Sequence, residues 1–149
     1  MIPVLEEVFR TIGFYKAKIR DNASKLDVLG LLWDDRVAEP SNPDYNAYVA
    51  HKRAIETDVS EIERVIQEEI VRRGIRFPVG GIENGLIDFP TTYQGRWVYL
   101  CWQSGEPELL FWHDTNAGFA GRQEITDEQK QVMGKEDDPE SLDDSGLDY

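Results

Sequence analysis

The chain is poor in the residues that most often declare a function. It has a single cysteine, Cys101, and two histidines among 149 residues. It can close no internal disulfide and lacks the second thiolate that a structural zinc site ordinarily uses. That absence points to a reducing compartment, so a cytoplasmic location is expected. Basic residues are scarce too: 16 Lys and Arg stand against 29 Asp and Glu, for a net charge of -13. Duplex nucleic acid and anionic membrane are therefore not expected as partners, because binding phosphate needs a Lys/Arg surface. No apolar run approaches the roughly 18 residues of a membrane span. The opening Met1-Ile2-Pro3-Val4-Leu5-Glu6-Glu7 does not read as a signal peptide.

What is present reads as helix followed by sheet, an α+β chain. Leu5, Ile12, Ile19, Leu26 and Trp33 recur at heptad spacing, with Val8, Tyr15 and Leu29 at the second position. This predicts one long helix over about 3–36. Gly13 and Gly30 lie inside it and each costs about 1 kcal/mol relative to Ala, so a break near Asn22 to Ser24 is the alternative. Glu39-Pro40-Ser41-Asn42-Pro43-Asp44 then stops the helix, with Asn42 as the cap of a second one beginning at Pro43. That helix, over about 43–73, carries Tyr45, Tyr48, Ile55, Val59, Ile62, Ile66 and Ile70 on one face and ends at Gly74. Each helix would be on the order of 45 Å long, more than the remaining chain can cover. An antiparallel helical hairpin buried against a second copy, a homodimer, is the expectation.

From Ile75 the period changes to two. Ile75 to Val79, Leu86 to Phe89, Trp97 to Gln103 and Glu108 to His113 predict a small, mainly antiparallel β-sheet over about 75–114. Tyr93-Gln94-Gly95-Arg96 and Ser104-Gly105-Glu106-Pro107 are its turns, and a loop follows over about 115–125. Residues to about 133 read as a single α+β domain. From Gly134 onward 7 acidic residues stand against one lysine, which predicts a disordered acidic tail over 134–149, solubilising or suited to docking on a basic partner.

The string Gly85-Leu86-Ile87-Asp88-Phe89-Pro90, then Gly95-Arg96, Val98-Tyr99-Leu100-Cys101-Trp102, Trp112-His113 and Gly118-Phe119-Ala120-Gly121-Arg122-Gln123 resembles the bacterial domain-of-unknown-function family numbered 2203. The resemblance covers the order of features, including the helical hairpin ahead of the motif block. It implies no activity, ligand or catalytic residue. The N-terminal entry into the first helix is shorter than the family pattern, and the acidic extension lies outside the motif block.

Two constellations are candidates for function. If Ser104 to Pro107 is a four-residue turn, Gln103 faces Glu108. Trp97, Tyr99, Cys101, Leu110, Trp112 and Asp114 then share one side of the sheet, and His113 lies on the other. The first candidate is a non-enzymatic binding surface for a protein or small anionic ligand. Trp97, Tyr99 and Trp112 supply an aromatic face, and the loop through Phe119 and Arg122 supplies an anchor and a bidentate anion clamp. The bland alternative is a second small core beneath that loop, with Arg122 paired to an internal carboxylate such as Asp88. The second candidate is a metal-assisted or acid/base hydrolase centred on His113, Asp88 and Asp114. No close pair of metal ligands at helical spacing accompanies them, so no metal site is assigned and no cofactor is specified. The expected register separates Cys101 from His113, which makes Cys101 a buried structural residue. The leading expectation is a homodimeric binding or interaction module.

Overall fold

In the computed structural model, which describes residues 1–143 and 147, helix α1 runs unbroken over Ile2–Trp33. Nothing lies within 4 Å of where a Cβ would stand on Gly13 or Gly30, so each glycine weakens the helix without breaking it. Asn22 and Ser24 do not interrupt it. Their side chains donate back to the carbonyls of Lys18 and Arg20 at 3.1 and 3.0 Å. The Asn42 side chain accepts from the Asp44 N–H at 2.8 Å, and helix α2 follows over Tyr45–Glu69. Trp33 Nε1 donates to Asp44 Oδ2 at 2.8 Å across the connection. A 3₁₀ turn, Val71–Arg73, ends on Gly74, whose φ of 74° is the left-handed stop expected of glycine there.

The chain divides into two compact units, 10–67 and 1–9 with 68–149. In the helical unit, 10–67, the heptad pattern is only partly buried. Ile12, Asp58 and Val65 are enclosed, whereas Ile19, Leu26, Trp33, Ile55, Ile62 and Ile66 are half-buried. Lys18 pairs with Asp58 at 3.2 Å, and His51 Nδ1 meets Asn22 Oδ1 at 2.8 Å. Phe14, Val28, Leu31, Leu32 and Val59 face solvent.

The other unit holds a four-stranded antiparallel sheet in the order β1 (Leu86–Tyr93), β2 (Arg96–Gln103), β3 (Phe111–Asp114), β4 (Gln123–Glu124). A helical turn, α3 (Gly81–Asn84), leads into β1. The expected strand at Ile75 to Val79 is reduced to one bridge, Arg76 with Asp88. The true fourth strand lies in the segment expected to be loop. The turn between β1 and β2 sits where predicted: Gln94 and Gly95 have φ of 51° and 76°, the doubly positive arrangement that matches the twist of a tight hairpin.

Between β2 and β3 the register is one residue from that expected. Tyr99 pairs with His113 and Cys101 with Phe111. Glu106 braces the β2 end of the connection. Its N–H donates to the Gln103 carbonyl at 3.0 Å, its carboxylate accepts from Gln103 N at 2.7 Å, and its carbonyl accepts from Trp102 Nε1 at 2.9 Å. These bonds tighten the turn on its β2 side, and residues 107–110 leave the ladder before β3 begins. A one-residue slip exchanges the faces of every side chain on the strand.

One face of the sheet packs on the first turns of α1, where Phe9 meets Phe77 at 5.6 Å and Trp102 at 6.2 Å between ring centroids. Helix α4 (Asp127–Val132), which the sequence reading did not anticipate, starts at a Thr126–Gln129 capping box. Gln129 reaches the Tyr93 hydroxyl at 3.4 Å. Of the expected acidic tail, residues 144–146 and 148–149 lie outside the described residues. In the rest, Gly134 N donates to the Thr92 carbonyl at 2.7 Å, Asp137 accepts from Gly95 N at 3.0 Å, and Leu147 is buried.

Candidate functional site: a buried Asp-His-Cys cluster

The corrected register places Asp88 of β1, Tyr99 and Cys101 of β2, and His113 of β3 on one face of the sheet. All four are buried, Asp88 at 0% and His113 at 1% exposure. Cys101 and His113, expected to point apart, are neighbours: the ligating atoms of Asp88, Cys101 and His113 all lie within 4.8 Å of one another.

His113 is held at both nitrogens. Nδ1 lies 2.7 Å from the backbone carbonyl of Asp114, and Nε2 lies 3.1 Å from Asp88 Oδ1. A carbonyl only accepts, so Nδ1 carries a proton, and a carboxylate partner favours a proton on Nε2 as well. Burial alone would lower the pKa of the ring. Hydrogen bonds to Asp88, Cys101 and the Asp114 carbonyl, with the Asp88 charge, outweigh it and raise the value from 6.5 to about 10. At neutral pH the ring is an imidazolium with both donors committed, which suits a structural ion pair and not a general base.

Arg76 closes the cluster from above. Its guanidinium is 3.4 Å from Asp88 Oδ2 and stacks 4.2 Å from the Tyr99 ring centre, a cation–π arrangement that spreads its charge over an apolar surface. Asp88 thus receives a cation on each oxygen. The carboxylate of Asp114 is elsewhere: on the opposite face it pairs with Arg96, both 3.0 Å distances falling on Oδ1. The structure therefore joins two of the three hydrolase candidates, Asp88 and His113, and separates Asp114, which contributes only its carbonyl.

The aromatic face is also redistributed. Trp97 and Tyr99 stay together, but Trp112 faces the other way and packs against Tyr93 at 5.5 Å. Tyr99 and Trp112 are buried, Trp97 is half-buried, and Phe119 is 44% exposed. Arg122 is gripped by Glu106, at 2.8 and 2.6 Å to its two oxygens, and lies over Phe111 and Phe119 at 3.7 and 5.0 Å. The internal carboxylate it meets is Glu106 and not Asp88. Sequence reasoning missed Glu106 and Arg76, since neither sits in a motif and each acts through a partner distant in sequence. An open pocket of about 630 Å³ adjoins Trp97, lined also by Arg96, Asp114, Thr115, Asn116 and Asp143. Trp97 Nε1 is itself buried, without a hydrogen-bond acceptor among the described residues.

No helix among the described residues is long and apolar enough to cross a membrane. No curated protein and no solved structure gives a significant match to the chain. The profile of one family does match, over residues 1–125, which takes in the helical hairpin, all four strands and the Asp88–Cys101–His113 cluster. The chain belongs to DUF2203, the family described as an uncharacterized conserved protein.

Proposed function

We propose that this protein is a non-enzymatic interaction module that works as a homodimer. The helical unit forms the assembly surface, and the region around Trp97 and Phe119 meets a protein or a small anionic ligand. One observation carries the reading: the exposed apolar row on α1. Val28, Leu31 and Leu32 are spaced i, i+3, i+4, and Phe14 lies on the same side as Val28 and Leu32. Leu31 is 85% exposed, Leu32 64% and Phe14 60%. Scattered apolar residues are ordinary on a surface, but the Val28, Leu31 and Leu32 cluster, on a hairpin whose inner face is itself half-covered, is suited to burial by another helix pair.

The catalytic alternative loses support from the burial of Asp88, Cys101 and His113 and from the commitment of both His113 nitrogens. The open pocket beside Trp97 presents the Arg96–Asp114 pair to a polar ligand. Sedimentation velocity tests the assembly. The wild type should run at twice the 17.1 kDa chain mass, and the Leu31→Glu, Leu32→Glu double variant as a monomer with unchanged far-UV circular dichroism. A wild type that stays monomeric at a concentration on the order of 100 μM, where an affinity of about 8 kcal/mol would already saturate, overturns the reading.

A further inference from the structure

We propose that the Asp88–Cys101–His113 cluster is a binding site for a thiophilic divalent transition metal, with Zn²⁺ the best match to the donor set. The inference stands apart from the assembly reading, since all three residues belong to the sheet unit and none lies on the exposed row of α1.

Three observations converge on it. The donor atoms, one carboxylate oxygen, one imidazole nitrogen and one sulfur, lie within 4.8 Å of one another. A central Zn²⁺ with bonds of about 2.0–2.3 Å needs neighbouring donors roughly 3.3–3.8 Å apart, so the cluster needs only a small contraction. The 3.1 Å separation of His113 Nε2 and Asp88 Oδ1 is already near that span. The second observation is the 2.7 Å bond from His113 Nδ1 to the Asp114 carbonyl. A backbone acceptor on the far nitrogen is how metal-binding histidines are oriented, leaving Nε2 as the ligand. The third is Arg76, which takes Asp88 Oδ2 and leaves Oδ1 to face the sulfur and the ring. It is the outer partner that aims a ligating carboxylate.

Zn²⁺ would be held by the bare Nε2 of His113, by Asp88 Oδ1 and by the Cys101 sulfur as thiolate, the form in which each is a ligand. The thiolate selects against Mg²⁺ and Ca²⁺, which prefer an all-oxygen set. Three protein ligands leave one position for water. Burial of all three residues keeps that water from bulk substrate, so the bound metal braces β1, β2 and β3 together and does not hydrolyse.

The test uses the full chain, stripped with a chelator and then titrated with Zn²⁺ and with Co²⁺. One Zn²⁺ per chain should bind, and Co²⁺ should give a near-ultraviolet thiolate-to-cobalt charge-transfer band. Cys101→Ser should abolish the band and weaken Zn²⁺ binding by more than about tenfold. Should that variant fail to fold, the wild-type cobalt spectrum alone decides. Absence of stoichiometric uptake, or cobalt binding without the charge-transfer band, overturns the proposal. Uptake that persists unchanged in Cys101→Ser overturns it too. None of these results depends on whether the chain dimerises.

Discussion

In metal-free protein the buried Asp88–His113 pair should make stability fall steeply between neutral and alkaline pH. The His113 pKa is 6.5 in the unfolded chain and about 10 in the folded one, so the folded state holds the extra proton. Its contribution is complete below pH 6.5 and is lost as pH rises through about 10. A difference of about 3.5 units at 1.36 kcal/mol each gives a total of about 5 kcal/mol, in line with the roughly 3–5 kcal/mol attached to breaking a buried pair. Between pH 7 and 9 the loss is about 3 kcal/mol. With a urea slope of about 2 kcal/mol/M, the unfolding midpoint should drop by roughly 1–2 M. A His113→Gln control carries every other titrating group of the chain, and its own drift is subtracted. Urea unfolding in chelator-containing buffer at three pH values is sufficient. A net midpoint change under about 0.3 M would refute the claim that His113 is a buried imidazolium.

Three further outcomes are expected. Arg122 meets both Glu106 oxygens through one nitrogen, so Arg122→Lys can keep that contact but loses the planar stack on Phe111, and should cost about 1 kcal/mol, a fall of roughly 2–4 °C in Tm by calorimetry. An Ala at Gly85, where φ is 68° and a Cβ would stand 2.9 Å from Ser104 Cβ, should destabilise by about 1–3 kcal/mol in urea unfolding, whereas Gly13→Ala in the open helix face should stabilise by up to about 1 kcal/mol. Truncation after Met133 removes the Gly134–Thr92 bond and buried Leu147, and should cost about 2 kcal/mol by the same measure, against no change if the segment only solubilises.

The parts of the fold legible in the sequence are those set by short-range pattern. The heptad from Leu5 to Trp33 foretold an unbroken α1, Gly74 foretold the left-handed stop, although α2 itself ends at Glu69 and a 3₁₀ turn intervenes, and Gln94-Gly95 foretold the first hairpin turn. Helix α4 carried a readable signal as well: Thr126-Asp127-Glu128-Gln129 has the spacing of a capping box. It went unread because only a few apolar residues surround it and the acidic stretch beyond suggested a tail. Ile75 to Val79 looked like a strand by composition, yet Pro78 lacks an N–H and only Arg76 reaches a partner. The two-residue β4 is too short to announce itself by alternation. Its existence depends on β3 having an open edge, which no local pattern encodes.

The candidate site was half legible for a single reason. Asp88, Cys101 and His113 stood out as residue types, but whether they meet is decided by the parity of the turn between β2 and β3. An ideal four-residue turn puts Cys101 and His113 on opposite faces and leaves two unrelated buried groups. The observed register puts them together under Arg76 and creates both the imidazolium pair and a metal-capable donor set. Glu106 braces the β2 end of that turn, and is itself held by Arg122 from the glycine-bounded loop. The arginine that looked like an anion clamp therefore acts at a distance on the chemistry of the cluster: it holds the turn that sets which side chains share a face. A chain that kept Asp88, Cys101 and His113 but lost the Glu106–Arg122 pair would keep the ligands and lose a brace on the turn that brings them together.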